Sequence, residues 1–148
     1  MRKEFVMRGQ TASGETEVLN FSGFKPGIAY KMTEFSLYPS TDVHNQSAEH
    51  SGSVTAGKTA MPPTDANFNN EGLIATAILN HGNGPDDANG INYAVINDTF
   101  LITQNLILMV HDSHGTPVNW QCRFESVKMA GPQEAAANYK QFTISDTS

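Results

Sequence analysis

The chain is short of charge, of thiols and of long apolar runs. Only 16% of its 148 residues are Asp, Glu, Lys or Arg, against ~25% in an average soluble domain. Its single cysteine, Cys122, excludes an intrachain disulfide and any zinc cluster built on thiolates, because each needs more than one sulfur. Its 9 Lys and Arg stand against 15 Asp and Glu, a net charge of -6, and no basic run interrupts that excess. Affinity for a phosphate backbone comes from Lys and Arg displacing counterions, so nucleic acid is not an expected partner. The longest apolar run, residues 106–110 with 100–102 ahead of it, is broken by Thr103, Gln104 and Asn105. It falls far short of the ~20 residues that cross a bilayer as a helix, so no membrane is expected either. Met1-Arg2-Lys3-Glu4 leads into a few apolar residues without the apolar core of a signal peptide, and the expectation is a protein made in a cytoplasm.

In place of the missing charge stand Asn, Thr, Ser and Gly. A surface wetted by neutral amides and hydroxyls stays soluble without strong self-repulsion, which suits close packing of many copies. At this length one domain spanning residues 1–148 is expected, burying about 68–70% of its extended surface around one core.

Period-2 segments separated by turn chemistry recur along the chain. Residues 3–8 alternate weakly, 15–22 put Val18 on one side and Leu19 and Phe21 on the other, and Lys25-Pro26-Gly27 suits a type II turn. Residues 28–38 read as a long strand whose apolar register slips between Met32 and Phe35, the mark of a β-bulge. Two polar stretches, 41–70 and 81–92, read as long loops, although residues 52–56 have the composition of a short edge strand. Further strands are expected at 72–79, 91–96, 99–103 and 106–112; the last, which does not alternate, is expected to be covered on both faces. A turn over 112–117 leads into a strictly alternating strand in which Val118, Trp120, Cys122 and Phe124 share one side, so Cys122 and Trp120 are read as core. Pro132 and the helix formers after it predict one short helix over 132–140, with a closing strand at 142–144. About eight strands and one helix give an all-β antiparallel sandwich, jelly-roll-like, with an immunoglobulin-like sandwich or small barrel as the rival.

No compact motif nominates chemistry. His111-Asp112-Ser113-His114 offers imidazole and carboxylate to a divalent metal, but strand alternation puts the two His on opposite faces, and the segment reads as a solvated hairpin turn. The run 81–90 gathers oxygen ligands without the ladder spacing of a calcium loop and reads as a plain Gly/Asn loop. No glycine-rich stretch is followed by the Lys-Ser/Thr of a phosphate-binding loop. The expectation is therefore no enzyme, no cofactor and no resident metal.

Taken together, Met1-Arg2-Lys3-Glu4-Phe5-Val6-Met7-Arg8-Gly9-Gln10-Thr11, the blocks 27–39 and 97–104, and the tail 119–144 resemble small virion structural proteins encoded by marine bacteriophages. The likeness covers nearly the whole chain apart from 41–70 and 81–92. It rests on overall texture, and no catalytic signature comes with it. The resemblance implies a capsid decoration or other head-surface protein, located in the virion, whose partners are the major capsid protein and other virion proteins. Symmetric homo-oligomers are the commonest assembly, so further copies of itself in a trimer or pentamer matching capsid symmetry are also expected. From the residues themselves, 1–10 are a candidate N-terminal arm that adds a strand to a neighbour's open sheet edge, and the apolar run 106–110 reads as core or as subunit contact, so the candidate contact residues are Phe5, Met7, Leu106, Leu108 and Val110. A jelly-roll shell subunit is one alternative. A glycan-binding module of a head or tail fibre, using Asp86, Asp87 and Tyr93, is the other.

Overall fold

A computed structural model describes residues 3–21, 27–40, 48–57, 59–81 and 91–147. Eight strands run in chain order: β1 (Glu4–Thr11), β2 (Thr16–Leu19), β3 (Ile28–Pro39), β4 (Ala48–Ala56), β5 (Leu73–His81), β6 (Ile91–Ile96), β7 (Leu106–Asp112) and β8 (Val118–Lys128). A 3-10 turn, Pro63–Asp65, follows β4, and helix α1 (Gly131–Thr147) follows β8. The strands form two antiparallel sheets, β1-β8-β3 and β2-β7-β4-β5-β6.

Alternation explains why the sheets face each other. Along β8 the side chains of Val118, Trp120, Cys122 and Phe124 are buried, and along β7 those of Leu106, Leu108, Val110 and Asp112 are. These inner faces share one core with Met32, Phe35 and Leu37 from β3 and with Val54, Ala75 and Ala77 from β4 and β5. Phe124 anchors one end of that core, stacked on Phe5 at 5.5 Å between ring centroids and meeting Phe21 edge-on at 5.1 Å. Each such aromatic contact adds about 0.5–1.5 kcal/mol beyond the area it buries.

The sandwich and its C-terminal helix agree with the alternation read from sequence, and several details differ from it. Residues 4–11 are not an arm: β1 pairs along its whole length with β8, and Phe5 and Met7 pack on the chain's own core. The stretch 41–70 is not one loop, because β4 occupies 48–56 at the middle of the larger sheet; of 81–92, residues 82–90 lie outside the described residues. β7 alternates after all, with Ile107, Met109 and His111 half-buried on the outer side, because the segment after β4 covers only part of that face. No strand forms over 99–103; Asn97 Oδ1 accepts hydrogen bonds from the backbone N–H and the hydroxyl of Thr99, and the resulting turn ends β6. Residues 142–144 continue α1 and form no strand: once Gln133–Ala137 nucleate the helix, each further residue adds a hydrogen bond at small entropic cost. The bulge in β3 falls between Met32 and Glu34, inside the expected window.

The nested pairing of an eight-stranded jelly roll is three-quarters present. β1 pairs with β8, β2 with β7 and β4 with β5, but β6 stays beside β5, and β3 receives only one bridge, Tyr30 to Ile102, from the segment after β6. The fold is a two-sheet sandwich with the fourth pair unmade. Consequently β3 and β6 each lie at a sheet edge.

Candidate functional site

Two places gather chemistry-bearing side chains, one buried and one exposed. The buried one closes an end of the sandwich. Opposite each other on the inner face of the larger sheet, His50 and Asp112 approach to 2.6 Å between Nδ1 and Oδ1, and each residue is 2% exposed. The other carboxylate oxygen accepts three hydrogen bonds, from the N–H of His114 (3.0 Å), the N–H of Thr116 (2.9 Å) and the Thr116 hydroxyl (2.8 Å). Gly115 makes this turn possible with φ of 76°, a left-handed conformation that a side chain disfavours. A second turn docks on it: Asp112 N–H donates to Ser13 Oγ at 2.8 Å, and Gly14 N–H donates to the Val110 carbonyl at 2.8 Å.

Burial by itself pushes the Asp112 carboxyl up, yet the Thr116 and His114 hydrogen bonds and the attraction of His50 outweigh it and hold the group below its ordinary value. The Asp112 carboxylate locks one turn, and the Asp112 backbone anchors the other. The Ser13 hydroxyl, which the second turn brings close, bonds the Asp112 backbone and not the imidazole. The 112–117 segment is thus the turn expected from sequence, but its carboxylate is buried where solvation was expected. Among the described residues no group of three or more His, Cys, Asp and Glu side chains is arranged to hold a metal.

The exposed place emerges from comparing the outer faces of the two sheets. Outside β1-β8-β3 the surface is largely polar, with Arg123 Nε 3.3 Å from Glu34, Lys31 Nζ 3.9 Å from Glu125 and Gln10 donating to Asn119 at 3.0 Å, and its exposed apolar side chains, Val6 and Tyr38, stand apart on β1 and β3. Outside the larger sheet, residues 59–72 fold back over β4, so that its outward Ser51, Ser53 and Thr55 are buried and Ser53 Oγ donates to the Met61 carbonyl. That cover ends before β6. Ile91, Tyr93 and Val95 stand on one face of β6 with 53%, 62% and 37% of their surface exposed, beside Ile78 of β5 at 39%. Phe68, 64% exposed, lines a pocket together with Val95 and Thr76.

Among the described residues the outer backbone edge of β6 has no ladder partner. Asn97 N–H donates to the Ile74 carbonyl at 2.7 Å, which sets the phase of the β5–β6 ladder. In an antiparallel pair bonded and non-bonded positions alternate, so Ile91, Tyr93 and Val95 bond to β5 while Asn92, Ala94 and Ile96 turn their N–H and C=O groups toward the free edge.

Of the contact residues expected from sequence, Leu106, Leu108 and Val110 have no exposed surface, and Phe5 and Met7 are half-buried with their side chains packed on the chain's own core. A continuous apolar run is a signature of burial as much as of contact, and here burial accounts for it. Tyr93 is the one expected site residue that stands on the surface; Asp86 and Asp87 lie outside the described residues. The neighbours Ile78, Ile91, Val95 and Phe68 were not among the expected site residues. Their signal was the uncharged sequence Ile91-Asn92-Tyr93-Ala94-Val95-Ile96. Trp120 and Cys122 are core as expected: the indole N–H donates to Thr11 Oγ1 at 2.9 Å, and burial pushes the Cys122 thiol pKa up.

No family model matches the chain, and no curated protein matches it. Among solved structures it is similar to a chain titled Desmodium yellow mottle tymovirus, at 8% identity and a TM-score of 0.35, over 88% of this chain and 92% of that one. A likeness of that size establishes neither a family nor a function.

Proposed function

We propose that this chain is a non-enzymatic structural component of a bacteriophage virion, one that docks in many copies on a capsid surface and on other copies of itself. The observation that carries the reading is the edge strand β6, apolar along its outward face and without a ladder partner among the described residues on its outer edge, whereas the other sheet's outer face exposes Val6 and Tyr38 as separate side chains and no apolar row. A row of exposed apolar side chains on an otherwise wetted surface marks an interaction site. The amide-rich, weakly charged composition and the resemblance of the sequence to marine phage proteins support the same reading.

One observation favours a second reading: Tyr93 is exposed, and an exposed aromatic ring is a group on which a sugar face can stack. In that case the chain is a glycan-binding module of a head or tail fibre. The test is quantitative mass spectrometry of gradient-purified particles made with this chain, alongside glycan-array binding of the isolated protein. Many copies per particle with no glycan retention is the expected result. Absence from particles overturns the proposal, and glycan retention lost in Tyr93→Ala moves the function to the second reading.

A further inference from the structure

We infer that the free edge of β6 pairs with β6 of a second copy of this chain, antiparallel about a twofold axis at Tyr93, joining two five-stranded sheets into one. This deepens the assembly reading and rests on it. The occupant of the edge has to be a strand, because what the edge offers is a row of ladder groups at Asn92, Ala94 and Ile96, which a helix or a sugar does not match. Four observations make that strand the chain's own.

The first is register. Placing Tyr93 opposite its symmetry mate puts Asn92 opposite Ala94 of the second copy, and these are residues whose N–H and C=O groups point outward on both sides. The same pairing sets Ile91 beside Val95 of the mate, so the apolar row continues unbroken from Ile78 across the axis to the second Ile78. A shift by one residue would oppose apolar to polar faces, and the period-2 alternation forbids it.

The second is charge. A chain of net charge -6 repels its copies, and residues 91–96 carry no Asp, Glu, Lys or Arg, so this edge is where a like-charged copy approaches at least electrostatic cost. The third is what the other edges have and β6 lacks. Edges are protected by charge, proline, bulges or shortness. β3 carries Lys31, Glu34, Pro39 and its bulge; β2 has four residues including Glu17; β1 has Glu4 and Arg8. β6 has none of these and pairs with β5 without a register shift.

The fourth is closure. A ring of three or five needs two different complementary patches on each chain. Among the described residues the remaining large exposed apolar side chains, Val6, Val18, Tyr38 and Tyr139, sit on four separate elements and form no second strip. A twofold contact uses the same strip twice, so it replaces the trimer or pentamer expected from sequence as the contact this surface favours. The strip is small beside the ~800 Å² per partner of a standard interface, which makes the pair reversible in solution and reinforced when many copies share one lattice.

The test is analytical ultracentrifugation of the full chain with two variants. The expected mass rises with concentration from 16.1 kDa to twice that value, and Tyr93→Lys stays at the lower mass with an unchanged far-UV circular dichroism spectrum. Opposed non-bonded residues have Cα atoms ~4.5 Å apart, within disulfide reach, so Tyr93→Cys forms a disulfide-linked dimer under mild oxidation about tenfold or more faster than Val18→Cys. Val18, on the opposite edge strand, is 61% exposed and serves as the control. A monomer at every concentration, a mass three or five times the monomer's, or a dimer that survives Tyr93→Lys overturns the inference. A chain found in particles but monomeric overturns this inference alone; one that dimerises but is absent from particles overturns the virion reading and leaves the pairing standing.

Discussion

Replacing Asp112 by Ala removes the acceptor on which an end of the sandwich closes, and the structure sets the scale of the loss. Three hydrogen bonds at 2.8–3.0 Å and the 2.6 Å contact with His50 disappear together. Bonds to a charged group are worth about 1.5–3 kcal/mol each, but His114 is exposed and Thr116 half-buried, so their freed N–H groups regain water. His50, 2% exposed, does not. Most of the loss then comes from leaving His50 buried without its carboxylate, and breaking such a pair costs about 3–5 kcal/mol. We expect Asp112→Ala to lose about 4 kcal/mol in urea denaturation, which at ~2–4 °C per kcal/mol lowers Tm by ~8–16 °C.

The same carboxylate predicts a pH dependence. Because Asp112 is held below its ordinary pKa in the folded state, its contribution is fully present above the unfolded value of about 4. That contribution is lost as pH falls through the lower folded value. Wild type therefore loses stability below about pH 4 more steeply than Asp112→Asn, which has no charge there to lose. A loss under ~1 kcal/mol in Asp112→Ala, or equal acid slopes in wild type and Asp112→Asn, would refute the role of this carboxylate as a lock.

Three further outcomes follow from the core. A Cβ at Gly9 would sit 2.9 Å from Cζ2 of Trp120, whose indole is tied to Thr11; Gly9→Ala is expected to cost about 1–3 kcal/mol and to shift the emission of the sole tryptophan, and unchanged fluorescence with unchanged Tm contradicts that packing. Deleting residues 1–10 removes most of β1 together with Phe5 and Met7; the truncated chain is expected to lose its cooperative urea transition, whereas a free arm would leave it intact. Cys122, fully buried with its thiol pKa raised, is expected to resist thiol reagents in buffer and to react once the chain is unfolded in urea; rapid reaction in buffer contradicts its placement.

Period-2 alternation made the sandwich legible. Val118, Trp120, Cys122 and Phe124 face the core as their spacing demands, and the slip between Met32 and Phe35 is the bulge of β3. Composition could not reveal pairing. Arg2–Gln10 reads alike as a free arm or as an edge strand, and only its partner β8, over 100 residues away, decides between them. The unbroken run over 106–110 looked equally like core or contact, and β2 and β4 on either side of β7 settle it as core. Residues 48–51 read as polar loop because what buries them, the flanking strands β5 and β7 and Asp112 against His50, comes from later in the chain. Asp112 shows the same limit: alternation placed it on a face, but the burial of that face and the arrival of His50 depend on strand order. Tyr93 was legible as an exposed residue of a polar region, and its role at a bare sheet edge was not, because edges exist only once the sheet is assembled.

Assembly of this chain on a virion is tested most directly by electron cryomicroscopy of the particle that carries it, at a resolution that assigns side chains. The expected map shows a two-sheet sandwich outside a separate shell protein, in many copies, with β6 strands meeting across twofold contacts. A particle whose map contains no such sandwich, or one that holds it only at a fibre tip with Tyr93 facing a glycan, would contradict that assembly.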